Sequence, residues 1–299
     1  MLKRSVDLIL ITGLSCTLHS TAHCQDTIPF TLTEHNNIVV TAILNEKDTL
    51  ELMFHTDAAE IGLTPEAAVR ATSMTPTDSV QAISWGSDNN TATFKRNNHL
   101  RIGELAWDGL TVWTNSRSGH GTDGKFGPDL FKGSVIEIDF DHGRMVIHDP
   151  LPKISDEFTK MNIRIDNGSL FLEGQLEINE ETIDHTFLIH SGYSGTILLD
   201  DQFARLHGLA SKLPVTSESK LSDSYGNTLK TKLSVLPGFI LGAYSFIDMP
   251  IGFFEGHLGG EHRSVMGGEL LKRFNMFLDI QHATIYLRPS GSYSTEFIQ

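Results

Sequence analysis

Phe187-Leu188-Ile189-His190-Ser191-Gly192-Tyr193-Ser194-Gly195-Thr196-Ile197-Leu198-Leu199 is an apolar strand that runs into a turn of small residues and leaves it apolar again. Strand residues alternate faces, so Ile189 and its neighbours pack into a core while the turn delivers His190 outward, with the Ser191 hydroxyl beside it. The glycines of the turn permit close backbone approach at its tip. A second copy stands earlier, Leu52-Met53-Phe54-His55-Thr56-Asp57-Ala58-Ala59-Glu60-Ile61-Gly62-Leu63, with its histidine 135 residues before the other (55 against 190). In this copy Asp57 takes the place of Gly192.

The repetition extends beyond the turns. Gly127-Pro128-Asp129-Leu130-Phe131-Lys132 matches Gly267-Gly268-Glu269-Leu270-Leu271-Lys272, and Ile138-Asp139-Phe140-Asp141 matches Leu278-Asp279-Ile280-Gln281, both at an offset of 140. Two independent segments in the same order point to an internal duplication. The turns resemble the active-site loops of the pepsin and retropepsin-like aspartyl proteases in their bacterial, duplicated two-lobe form. In that family two apolar residues precede Asp-Thr/Ser-Gly and a further apolar strand follows; here His55 and His190 stand where the family has its catalytic aspartates.

The resemblance covers nearly the whole chain after its first residues. It implies a mainly β protein made of two pseudo-symmetric β-barrel lobes, residues 28–150 and 156–290, with a cleft between them and one turn from each lobe at its floor. The linker near 149–155 contains Pro150 and Pro152. The resemblance also implies that the pairs Phe126-Gly127 and Met266-Gly267 thread beside the turns. The hairpin tips near Trp85 and Tyr225 then sit where the family has its flaps, and the loops carrying His120 and His257 form walls of the cleft. His262 is close enough in sequence to substitute for His257.

The residues read on their own give the same class. Alternating or apolar runs at Ile38 to Leu44, Leu50 to Phe54, Ala82 to Trp85, Thr91 to Lys95, Leu110 to Trp113 and Val135 to Phe140 are separated by breaks rich in Asn, Asp, Gly and Ser. Helical patterns are short: Thr64 caps a turn that begins with Pro65, and Pro128-Asp129-Leu130-Phe131 is a single turn after Gly127.

At the N-terminus, Lys3 and Arg4 precede an apolar run from Leu8 to Leu18, and Ala22-His23-Cys24 is a small-x-small cleavage signature before Gln25. Residues 1–24 therefore read as a signal peptide, and the protein is expected to be exported, periplasmic or secreted. Cys16 and Cys24 offer a loose lipid-attachment site as the minor alternative. They are the only cysteines, so the body of the chain has neither disulfides nor thiolate chemistry and depends on core burial. A formal net charge of −14 argues against nucleic acid and anionic lipid as partners.

Chemistry is expected at the two turns. An aspartate dyad works because two close carboxylates share one proton. Two close imidazoles instead titrate near neutrality, and each, when protonated, lowers the proton affinity of the other. The candidate catalytic set is His55, His190, Thr56, Ser191 and Asp57, and the candidate substrate-binding set is Trp85, Tyr225, His120 and His257. Two alternatives follow. His55, His190, His120 and His257 could together hold zinc, copper or nickel, with Asp57, Asp123 or Glu261 as a further ligand or an acceptor behind one. Otherwise the His pair works as a metal-free acid and base. Either reading makes the protein a hydrolase of an extended peptide or glycan, while the alternative is a non-catalytic pseudoprotease that binds such a chain. Trp113, at the end of an apolar strand, reads as core.

Overall fold

The computed structural model describes residues 25–74, 78–84, 87–114, 117–222, 228–254 and 262–297. The signal-peptide reading of residues 1–24 lies outside them, as do Trp85, Tyr225, His257 and Glu261. The chain is mainly β, with two closed lobes and a sheet that joins them.

The first lobe is an eight-stranded sheet in the order Thr31–Leu32, Ile38–Leu44, Asp48–Phe54, Gly124–Phe126, Ile61–Leu63, Leu105–Trp113, Ser87–Ile102, Asp78–Ser84. The second has the order Arg164–Asp166, Ser169–Ile178, Glu181–Ile189, Val265–Met266, Ile197–Leu199, Tyr244–Phe254, Thr228–Leu241, Val215–Ser222. Each strand of one list has its counterpart at the same place in the other. Each sheet also closes on itself by an equivalent pairing, Ala42 against Ile102 in the first lobe and Gln175 against Ile240 in the second.

Six strands form the joint between the lobes, in the order Gln25–Pro29, Arg144–His148, Val135–Asp139, Phe274–Asp279, Thr284–Pro289, Thr159–Asn162. At its centre Ile136 pairs with Leu278, Glu137 with Phe277 and Ile138 with Met276. The middle pair is 140 residues apart, the same offset as the sequence repeat, so the pseudo-twofold axis of the molecule passes through it.

Alternation accounts for the burial. Val40, Leu52, Phe54 and Phe126 from the first lobe and Leu172, Phe187, Ile189 and Phe239 from the second belong to one continuous apolar cluster that includes Ile136 and Leu278 of the joining sheet. Burial of this area is the dominant favourable term in folding. Equivalent short helices follow the strands Ile61–Leu63 and Ile197–Leu199. Thr64 caps Pro65–Arg70 by accepting from the Ala67 amide, and Asp200 caps Asp201–Leu206 by accepting from Gln202 and Phe203.

The turns closing the two central hairpins are equivalent as well. His142 Nδ1 lies 2.8 Å from Asp139 Oδ2, and His282 Nδ1 lies 2.9 Å from Asp279 Oδ2. These histidines serve turns and lie apart from the candidate site. Among the described residues no helix is long and apolar enough to cross a membrane.

Candidate active site

Each turn histidine leaves the end of a long core strand, His55 after Asp48–Phe54 and His190 after Glu181–Ile189. The His55 amide donates to Phe126 O at 2.9 Å, and the His190 amide donates to Met266 O at 2.8 Å. The apolar-glycine pairs thus thread beside the turns, as the resemblance implied. Glycine is required there: a Cβ on Gly127 would fall 1.6 Å from Ala58 O, and one on Gly267 would fall 2.3 Å from Gly195 O.

The turns are braced against each other across the lobes. Thr56 Oγ1 donates to Ile189 O at 2.5 Å and accepts from the Ser191 amide at 3.1 Å. Ser191 Oγ donates to Phe54 O at 2.8 Å and accepts from the Thr56 amide at 3.0 Å. Both hydroxyls are buried, and each satisfies two main-chain groups of the opposite turn. Thr56 and Ser191, expected among the catalytic groups, therefore act as braces, because the one proton of each hydroxyl is committed to a main-chain oxygen of the opposite turn.

This bracing brings His55 and His190 together with ring centroids 4.5 Å apart and planes inclined at 71°. Each ring is almost closed off, the residues being 7% and 8% exposed. The Asp57 amide donates to His55 Nδ1 at 3.2 Å, so neutral His55 carries its proton on Nε2. Gly192 makes room for this ring, since a Cβ there would lie 2.4 Å from His55 Cδ2.

Burial above all holds His55 well below the ordinary imidazole range, and repulsion from His190 and Lys125 adds to the effect. Burial likewise lowers His190, to about 4, with Asp57 pulling upward and Lys125 downward. Both rings are therefore neutral at pH 7, each with one N–H donor and one lone pair.

The wall residues do not join the pair as expected. His120 is exposed, and its ring lies 4.5 Å from that of His35, on the turn before the strand Ile38–Leu44. His262 is committed to the fully buried Asp201 and so does not substitute for His257. Asp123 pairs with Arg70 and accepts from the Glu51 amide at 3.0 Å, which removes it as a metal ligand. Among the described residues no three or more His, Cys, Asp or Glu side chains are grouped to hold a metal ion, so the expected convergence of His120 with the pair is corrected. Trp113 is half-buried, 5.0 Å from the Phe94 ring, with its indole N–H on Glu60.

Sequence reading missed Asn36 and Asn37. The Asn36 side-chain amide donates to Ser194 O at 2.8 Å and to Glu269 Oε2 at 3.0 Å, and the Asn37 side-chain amide donates to Ser191 O at 3.2 Å. All of these contacts cross from the first lobe to the second, two of them to its turn and one to Glu269 of the short helix Gly268–Leu271. A paired Asn-Asn ahead of a strand reads as an ordinary turn, and only the structure reveals its partners.

No family model matches the chain, and no curated protein matches it. Among solved structures the aspartic proteinase from Irpex lacteus superposes with a TM-score of 0.57 at 12% identity, over 91% of this chain and 99% of that one. The fold is that of a pepsin-like aspartic proteinase. At this identity the likeness extends to the fold alone. In pepsin-like terms, the two braced turns lie where the lobes meet, and the pair of imidazoles lies at their tips.

Proposed function

We propose that this protein is an exported hydrolase in which His55 and His190 take the place of an aspartate dyad, acting on an extended peptide or glycan lying between the lobes. The observation that carries this reading is the contact of the two imidazoles at 4.5 Å, held by reciprocal bonds from separate lobes. For a peptide carbonyl, His190 is the base, because the neighbouring Asp57 carboxylate favours its protonation, and His55 is the donor through Nε2–H. The water oxygen bonds to the carbonyl carbon as its proton passes to His190, while His55 hydrogen-bonds the developing oxyanion. The proton on His190 then passes to the leaving nitrogen as the C–N bond breaks. A transition metal held by the pair would need His55 to give up either the Asp57 amide at Nδ1 or the proton at Nε2, so the metal-free form is the one proposed.

The test is turnover of peptide and oligosaccharide libraries by the purified chain, with His55→Ala and His190→Ala. The proposal expects activity that rises as pH increases through the value set by His190, lost in each variant while the fold is kept. It expects that activity to survive chelation. Binding without turnover, or turnover indifferent to both substitutions, overturns it in favour of a non-catalytic binding cleft. One observation favours that second reading: both turn hydroxyls are spent on bracing, and the pair is uncharged and almost closed off. Export is tested separately, by a mature N-terminus at Gln25 or by lipid on Cys16 or Cys24.

A further inference from the structure

The two lobes carry equivalent residues ahead of equivalent strands. Asn37 lies two residues before Val39, which pairs with Met53; Ser169 lies two before Phe171, which pairs with Leu188. Met53 and Leu188 each stand two residues before a histidine of the pair. Both equivalents reach across to the opposite turn, but they hold different things. Asn37 holds the main-chain oxygen of Ser191. Ser169, 7% exposed, instead donates from Oγ to the side-chain Oδ1 of Asp57 at 2.5 Å, and its oxygen accepts from Arg263 Nη1 at 3.1 Å.

The carboxylate held in this way belongs to the residue whose own amide meets His55 Nδ1 at 3.2 Å. The chain of contacts runs from Arg263 through Ser169 and Asp57 to one imidazole and crosses the lobes on the way. The other turn offers no counterpart, because Gly192 has no side chain to hold.

We propose that Asp57 is a positioning residue for His55: pinned from the opposite lobe by Ser169 and Arg263, it keeps its amide on Nδ1 and fixes the imidazole as the Nε2–H tautomer. The catalytic meaning of this contact rests on the acid–base reading above, but the contact itself is tested without substrate. An N–H directed at Nδ1 leaves no room for a proton there, so the donor must be Nε2. What matters is an acceptor at position 57 within reach of Ser169, and a carboxamide oxygen supplies one as a carboxylate does.

The experiment is imidazole 15N NMR of the full chain at neutral pH, with the His55 signals assigned by their loss in His55→Gln. The expected result is a single Nε2–H tautomer with a slowly exchanging ring proton in the wild type and in Asp57→Asn. Asp57→Gly and Ser169→Ala should both show tautomer averaging and faster ring N–H exchange. Ser169→Ala keeps the charge at position 57 and leaves the first turn's sequence intact, so it carries the test if the glycine variant does not fold. An unchanged signature in the folded glycine variant or in Ser169→Ala overturns the proposal. Loss of the signature in Asp57→Asn also overturns it, because charge rather than tethering would then be responsible. Absence of hydrolysis with this NMR pattern intact would sink the proposed reaction and leave the positioning role standing.

Discussion

Removing one hydroxyl of the brace tests the core of the site. Thr56→Val keeps the shape of the side chain but leaves Ile189 O and the Ser191 amide, which Thr56 satisfies at 2.5 and 3.1 Å, without that partner. A buried main-chain group stripped of its hydrogen bond costs about 1–3 kcal/mol. Two such groups, one a carbonyl with a second lone pair, put the variant roughly 2–4 kcal/mol below the wild type. Ser191→Ala strips Phe54 O and the Thr56 amide and should cost a similar amount. The two losses are not independent, since each hydroxyl holds the turn that carries the other. The double variant should therefore cost less than the sum, with a coupling on the order of 1 kcal/mol. Thr56→Ser and Ser191→Thr keep the hydroxyls and should stay within about 1 kcal/mol of the wild type. Urea unfolding followed by tryptophan fluorescence, fitted for midpoint and slope, measures all five variants. A Thr56→Val protein within about 0.5 kcal/mol of the wild type, or a strictly additive double variant, would refute the reasoning.

Acid should destabilise the fold through the pair: both histidines have folded proton affinities below the unfolded value near 6.5, so the unfolded chain binds more protons as pH falls. Stability is then lost from about pH 6.5 downward, levelling for His190 below about 4, with a contribution on the order of 3 kcal/mol; a urea midpoint equally pH-dependent in His55→Gln/His190→Gln would contradict this. Arg273, 1% exposed, bonds Glu269 and the main-chain oxygens of Ser292, Tyr293 and Thr295. Arg273→Met should cost about 3–5 kcal/mol and speed amide exchange across residues 292–297, and unchanged exchange there would contradict it. His142→Ala and His282→Ala remove exposed partners of buried aspartates whose main-chain bonds remain. Each should cost less than about 1 kcal/mol and leave the His55 NMR signals unmoved; a shift in those signals would mean that these turns reach the site.

The architecture was legible because duplication writes each element twice. Strand alternation, the Thr64 cap and the turn of small residues each have a local cause, and the 140-residue offset marked the duplication, though not the joining sheet at whose centre its copies pair. The partners of single side chains were not legible in the same way. His120 lies in a loop that suits a cleft wall, yet its ring meets His35, 85 positions away in sequence (35 against 120). His262 was a plausible neighbour of the pair until the buried Asp201 claimed it. Ser169 gave no sign of its role, since a serine opening a strand is ordinary and its partner Asp57 lies in the other lobe. Such contacts depend on how the lobes meet, which periodicity does not encode.

The brace also explains how this scaffold can carry imidazoles at its turn tips. Its four hydrogen bonds use two hydroxyls and four main-chain groups, and none involves the side chain at position 55 or 190. The geometry of the tips is therefore set independently of what stands on them. An imidazole is larger than a carboxylate, however, and the room it needs must come from its surroundings. Gly192 supplies that room for His55, because any Cβ there would collide with the ring. On the opposite side Asp57 fills the equivalent position and places a carboxylate whose charge favours protonation of His190. Equal rings thus meet unequal surroundings: His55 is held by an amide at Nδ1 and pressed against a glycine, while His190 faces an acid. A pair differentiated in this way divides naturally into one donor and one base, a division that two carboxylates sharing a proton achieve by mutual repulsion.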